Sequence, residues 1–163
     1  MKIAITGHSA GIGQALAETY YGHEIVGISR RDGNNIRNIP KIADLIEPCD
    51  VFINNAQAGF AQTELLFEVH RRWVDTQKHI MVISTMMTQQ PVSVLEGMDE
   101  YRIQKIALEN AVNQLRYQYP TGPKFTIVRP GKVEDYTEWA RTLVKLLNTA
   151  RENGFSIPDI SLR

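Results

Sequence analysis

An α/β fold, a doubly wound parallel sheet with helices on both faces, is what this sequence predicts, on three observations. Short apolar runs alternate with segments of helical period along the chain, the pattern of parallel strands joined by crossover helices. The first run, Ile3-Ala4-Ile5, leads straight into Thr6-Gly7 and then Gly11-Ile12-Gly13, where a helical pattern starts at once. No internal repeat, low-complexity tract or linker interrupts the 163 residues, so residues 1–163 read as a single domain.

The strands read in order are residues 2–6, 24–29, a weak third at 35–37, then 50–54, 79–84, 124–128 and 156–162. Right-handed crossovers and the glycine turn after the first strand give about seven strands in the order 3-2-1-4-5-6-7. The helices carry apolar faces at Ile12, Ala15, Leu16, Thr19 and Tyr20; at Ile103, Ile106, Ala107, Ala111 and Leu115; and at Trp139, Leu143, Leu146, Leu147 and Ala150. Trp73 and Trp139 read as packing residues, and Asn153-Gly154 as a helix stop before the last strand.

Composition narrows the function classes. The chain is 43% hydrophobic and 22% charged with a formal net charge of +0, so bulk charge gives no reason to expect nucleic acid or an anionic membrane. His70-Arg71-Arg72 reads as a solvated helix face. Cys49 is the single cysteine, so no internal disulfide can form, and a small structural residue in a reducing compartment is the simple reading. No apolar run is long enough to span a bilayer, and the apolar stretch at residues 3–5 is too short for a signal peptide; a cytoplasmic protein is expected. The four histidines show no metal-ligand spacing.

In a sheet of this kind the chemistry sits just beyond the carboxyl end of each strand. After the first strand, Gly7, Ser9, Gly11, Ile12 and Gly13 form a turn that can bring backbone N–H groups and a helix amino end to a dinucleotide pyrophosphate. After the second come Ser29, Arg30 and Arg31, where an acidic residue would bind ribose hydroxyls; arginine there accommodates a 2′-phosphate and favours NADP(H) over NAD(H). Asp32 falls too late to be the ribose acid. Asn54-Asn55-Ala56-Gln57 follows the fourth predicted strand and Ser84-Thr85 the fifth; Tyr101-x-x-x-Lys105 opens a later helix on one face, and Pro130-Gly131-Lys132-Val133 follows the sixth.

Together these residues resemble the short-chain dehydrogenase/reductase family, whose fold is a Rossmann-type doubly wound parallel sheet. Thr6-Gly7-x-x-x-Gly11-Ile12-Gly13 is similar to its cofactor turn, and Asn54-Asn55-Ala56 to its Asn-Asn-Ala-Gly motif, with Gln57 in place of the glycine. Tyr101 and Lys105 resemble its catalytic pair, and Pro130-Gly131 its Pro-Gly turn, where Val133 would present backbone to the nicotinamide amide. The resemblance implies that Tyr101 acts as general acid in carbonyl reduction and as base in alcohol oxidation. Lys105 would favour the phenolate and hold the nicotinamide ribose. A hydroxyl after the fifth strand would orient the substrate oxygen; Ser84 and Thr85 both fit that place.

The chain also departs from the family. The stretch from Asn55 to the fifth strand is short by about a helix, and the family's structural asparagine falls near Gln62. Residues 34–38 make a poor third strand and lack the adenine-contacting Asp. Glu134-Asp135-Tyr136 leads almost directly into the helix at 137–153, without the usual substrate-binding loop, so the pocket is expected to be open, shallow or completed by a neighbouring subunit. Residues 86–98 are the remaining candidate for a substrate wall, or else packing for the truncated edge.

Two functions follow. One is an NADP(H)-dependent oxidoreductase interconverting a small carbonyl and alcohol; the other is a noncatalytic NADP(H)-binding sensor or regulatory protein on the same scaffold. A structural module with a vestigial site would bind no cofactor. A homodimer or homotetramer is expected through the helices at 64–77 and 99–119, with Leu65, Phe67, Leu108 and Val112 read as a second buried face.

Overall fold

The computed structural model describes residues 1–91 and 97–163. Six parallel strands form one sheet: β1 (Lys2–Thr6), β2 (Glu24–Ile28), β3 (Val51–Asn54), β4 (His79–Ile83), β5 (Lys124–Pro130) and β6 (Asp159–Leu162), in the order β2-β1-β3-β4-β5-β6. The weak strand at 35–37 does not form. Asn35, Ile36 and Arg37 lie in a turn, where Asn35 bends the chain back by accepting from the Arg37 backbone N–H at 3.0 Å. The sheet therefore ends at β2, and six strands replace the seven expected.

Strand residues alternate between two cores, as the pleat requires. Ala4, Phe52, Ile80, Val82 and Ile127 face α2 (Ile39–Ile46), α3 (Ala61–Trp73) and α4 (Asp99–Gln118). Ile3, Ile5, Ile53, Met81 and Val128 face α1 (Gly11–Thr19) and α5 (Tyr136–Glu152). Trp73 and Trp139 are buried in these two cores, and Cys49 is buried and free.

Three helix readings are corrected. On α4 the buried face is Gln104, Lys105, Leu108, Glu109, Ala111, Val112 and Leu115, while Ile103 is 55% exposed. The helix is turned so that a hydrogen-bonded polar set faces inward. Leu65, Leu108 and Val112 belong to that core, not to a second face, and only Phe67 of the four is exposed. His70 is buried against Tyr119 and Phe125, whereas Arg71 and Arg72 do lie on the charged side, where Arg72 ties Glu68 to Asp44 and Glu47 of the neighbouring helix end. No helix among the described residues is long and apolar enough to cross a membrane.

Candidate active site

The carboxyl ends of β1, β2 and β3 open on a groove of about 600 Å³. Its floor is the turn after β1. Gly7 has φ +72°, and a Cβ there would lie 2.8 Å from Asn55 Nδ2; a Cβ on Gly13 would lie 2.2 Å from the Gly7 carbonyl oxygen. Only glycine lets the turn fold under its helix this closely. Asn55 Nδ2 donates to the Thr6 carbonyl at 3.0 Å, and the backbone N–H groups of Asn55 and Ala56 donate to Thr6 Oγ1 at 3.0 and 3.1 Å. These bonds fasten the ends of β1 and β3 together. The amino end of α1 has no side-chain cap and no acidic residue in its first turn, so its free N–H groups and positive dipole end stay available to an anion.

At the end of β2, the Ser29 hydroxyl donates to Asp32 Oδ2 at 2.6 Å, and that carboxylate lies 3.6 Å from His8 Nε2. Asp32 is thus held away from the groove. Arg31 Nη1 donates to the Ser9 carbonyl at 3.2 Å, and Arg30 makes no ion pair among the described residues. The groove wall carries both guanidinium groups, with Ser9 and Ala56, and no carboxylate.

A second, smaller cavity of about 260 Å³ lies at the ends of β4 and β5. Ser84, Thr85, Tyr101 and Lys105 line it together with Ile12, Asn55, Pro130, Gly131 and Val133. Gln57 borders both cavities, and its amide reaches across to Gln104 on α4. Gly11 lies beneath the Tyr136 ring, which closes the second cavity from the start of α5.

The two hydroxyls after β4 part company. The Ser84 side chain is buried and bonds Glu109, so it is committed to the core. Glu109 also accepts from Thr88 Oγ1 at 2.9 Å and from Arg129 Nη2 at 2.8 Å, and Arg129 continues to Asp159 on β6 at 3.0 Å. Thr85 instead faces Tyr101. Burial pushes the Tyr101 phenol up, and the neighbouring Thr85 hydroxyl draws it part of the way back.

Lys105 is 3% exposed. Its Nζ donates to Gln62 Oε1 and to the Ile83 carbonyl, both at 2.8 Å, and stands 5.5 Å from the centre of the Tyr101 ring. One of its three N–H donors remains for another partner. Burial brings the ammonium down to about 8, against a charge contribution from Glu109 that raises it. Gln62 is held in turn by donating to the Asn54 and Ile83 carbonyls at 2.7 and 3.2 Å. Gln62 thus grips the lysine directly.

Solved structures of the same architecture are plentiful. An alcohol dehydrogenase from Thermococcus sibiricus, complexed with 5-hydroxy-NADP, superposes with TM-score 0.77 at 16% identity, over 99% of this chain and 95% of that one. A short-chain dehydrogenase/reductase from Vibrio parahaemolyticus gives 0.79 at 17% identity, over 98% of each chain. A 3-alpha-hydroxysteroid dehydrogenase from Pseudomonas sp. B-0831, complexed with NADH, gives 0.72 at 16% identity, over 99% and 93%. The chain has the short-chain dehydrogenase/reductase fold. No protein-family model matches the sequence, and no curated protein matches it either.

It is a short version of that fold. Only residues 131–135 join β5 to α5, beside the second cavity. Residues 86–89 form a short 3-10 turn anchored by the Met87 N–H donating to Thr85 Oγ1 at 3.3 Å; of the candidate wall at 86–98, residues 92–96 lie outside the described residues. Sequence reasoning passed over Glu109, Arg129, Gln104, Thr88 and Tyr136. The spacing of Lys105 and Glu109, one helical turn apart on one face, was the available signal for the first of these.

Proposed function

We propose that the protein is an NADP(H)-dependent oxidoreductase that interconverts a small carbonyl and its alcohol. The observation that carries this reading is Thr85, Tyr101 and Lys105 around one cavity, next to a groove with two guanidinium groups and no carboxylate. The glycine turn, the open amino end of α1 and the arginines fit a dinucleotide with a 2′-phosphate. A bound nicotinamide would supply or accept the hydride. Arg30 and Arg31 would hold the adenosine end, Gly7, Ser9, Gly11, Ile12 and Gly13 the pyrophosphate, Asn55, Ala56 and the free N–H of Lys105 the nicotinamide ribose, and Pro130, Gly131 and Val133 the carboxamide side.

In this reading Thr85 donates a hydrogen bond to the substrate oxygen and fixes its place beside the Tyr101 hydroxyl. Tyr101 gives its proton to that oxygen in reduction and takes it back in oxidation. The phenol needs help to ionise, because burial alone holds it high. Lys105, kept in place by Gln62, supplies positive charge on the phenolate side when it is protonated. Ser84 acts behind this site, through Glu109.

Tyr101→Phe separates this function from the noncatalytic alternative. Turnover with a carbonyl panel is expected to fall about a hundredfold or more, the usual range for removing a positioned acid, while NADPH affinity stays. Turnover that survives intact would overturn the Tyr101 mechanism, and NADPH binding without any turnover in the parent protein would favour the sensor.

A homodimer or homotetramer in the cytoplasm completes the proposal. Phe67 and Ile103, 48% and 55% exposed on α3 and α4, are apolar surface for such an interface. A monomeric mass by light scattering at micromolar concentration would refute it.

A further inference from the structure

A cleft of about 330 Å³ lies at the amino-terminal end of the sheet, opposite the dinucleotide edge, under the end of α5 and the segment leading into β6. We propose that it is a second small-molecule site, built for an apolar hydroxy acid: a hydrocarbon body with one hydroxyl and one carboxylate. Its volume is at the lower end of the range of small-ligand cavities.

The body of such a ligand meets an apolar floor of Ile3, Val51 and Met81 and a wall of Leu147 and Ile157. Phe155, 73% exposed on the rim, offers a free aromatic face. Two polar groups are enclosed with these residues. Tyr20 is 7% exposed, and its hydroxyl takes part in no hydrogen bond among the described residues. His79 is the other, and its hydrogen bonding fixes which nitrogen is free. Thr126 has one hydroxyl proton, donated to the Ile157 carbonyl at 2.8 Å. Its oxygen must therefore accept from His79 Nε2, which lies 2.9 Å away. Nδ1 is then the nitrogen with no hydrogen-bond partner among the described residues, and it carries a bare lone pair when the ring is neutral. Burial, with Lys124 and Arg116 nearby, brings its pKa to about 4, in keeping with that tautomer. A ligand hydroxyl can donate to Nδ1 and accept from Tyr20.

The carboxylate belongs at the mouth. Lys124 and Arg151 line it, and neither has a carboxylate partner among the described ion pairs. Asp50 also lines the cleft, but its carboxylate accepts from the Lys2 backbone N–H at 2.7 Å. Two cations against one engaged anion favour a negatively charged ligand end.

The test is titration of the whole protein with 4-hydroxyphenylacetate, phenylacetate and 4-ethylphenol, followed by NMR of the His79 and Tyr20 rings and repeated with saturating NADPH. The hydroxy acid is expected to give saturable shifts at both rings, and loss of either polar group to weaken binding about tenfold. Tyr20→Phe and the rim double variant Lys124→Ala/Arg151→Ala should each weaken it by about the same factor, while leaving NADPH affinity unchanged. Because this readout does not use the dinucleotide edge, it stands or falls apart from the oxidoreductase proposal. No saturable shift at these rings up to about 10 mM ligand, equal binding of all three probes, or unchanged affinity in both variants overturns the proposal. So does sedimentation showing a dimer in which these same ring signals are covered by a second copy.

Discussion

Gly13 shows how little room the turn after β1 leaves for change. A methyl group there would sit 2.2 Å from the Gly7 carbonyl oxygen and 2.7 Å from Asn55 Nδ2, which is itself bonded to the Thr6 carbonyl. Gly13→Ala is expected to cost at least about 3 kcal/mol, read by urea denaturation, and to abolish NADPH binding in whatever remains folded. Arg30 lines the groove without an ion-pair partner among the described residues, so in the proposed function it would act by charge. Arg30→Ala should weaken NADPH about tenfold or more, the scale of one charge-assisted contact, and leave NADH nearly unaffected; parallel fluorescence titrations check this, and equal losses would refute the assignment. Glu109 is a positioning residue. It binds Ser84 and Thr88, which flank Thr85, and its charge holds the Lys105 ammonium up. Glu109→Gln should therefore shift the alkaline limb of the pH–rate profile, set by Lys105 near 8, to lower pH. A profile that keeps its limb while activity falls would leave Glu109 a purely structural role. Glu109→Ala, which leaves the buried Arg129 with Asp159 as its one remaining carboxylate, should cost about 3 kcal/mol.

Elements were legible where local rules and tertiary packing agree. The strand, glycine turn and helix at residues 2–19 follow from short-range signals, and the strands at 51–54 and 79–83 from unbroken apolar runs. The third strand was not legible as a turn, because its asparagines bend the chain by side-chain bonding that periodicity does not register. The face of α4 was misread for a related reason. Apolar periodicity points to Ile103, but Gln104, Lys105 and Glu109 bury their polar groups with partners from the segment after β3, from α3 and β4, and from β5. Such partners lie far off in sequence, and a single chain gives no sign of them. Ser84 and Thr85 were indistinguishable for the same reason, since only Glu109, a helix away, sets them apart. If polar satisfaction turns α4, then Tyr117→Lys on its exposed side should leave the melting temperature within about 2 °C, whereas Leu108→Ala in the core should lower stability by about 2–5 kcal/mol.

Over the whole molecule, burial of ionisable groups gives a stability with a defined pH dependence. His79 has a folded value near 4, below its ordinary 6.5, so the unfolded chain binds its proton more readily. Stability from this group is complete above about pH 6.5 and is lost as pH falls through 4. Burial shifts His70 in the same direction. Thermal melts between pH 7 and 4 should show a steady loss, and His79→Gln, which keeps a donor for Thr126, should flatten it. Lys105 acts at the other end, adding stability as pH climbs from about 8 toward 10.5.

The ion-pair chain from Glu109 through Arg129 to Asp159 has a further consequence, in time rather than in space. Asp159 follows every residue of the site in the sequence. A ribosome-bound chain that has already exposed Tyr101 and Lys105 to the cell still lacks the carboxylate that completes the brace behind Thr85. Until β6 emerges and docks, Arg129 has one anchor fewer. The brace behind Thr85 is thus finished only when β6 is made.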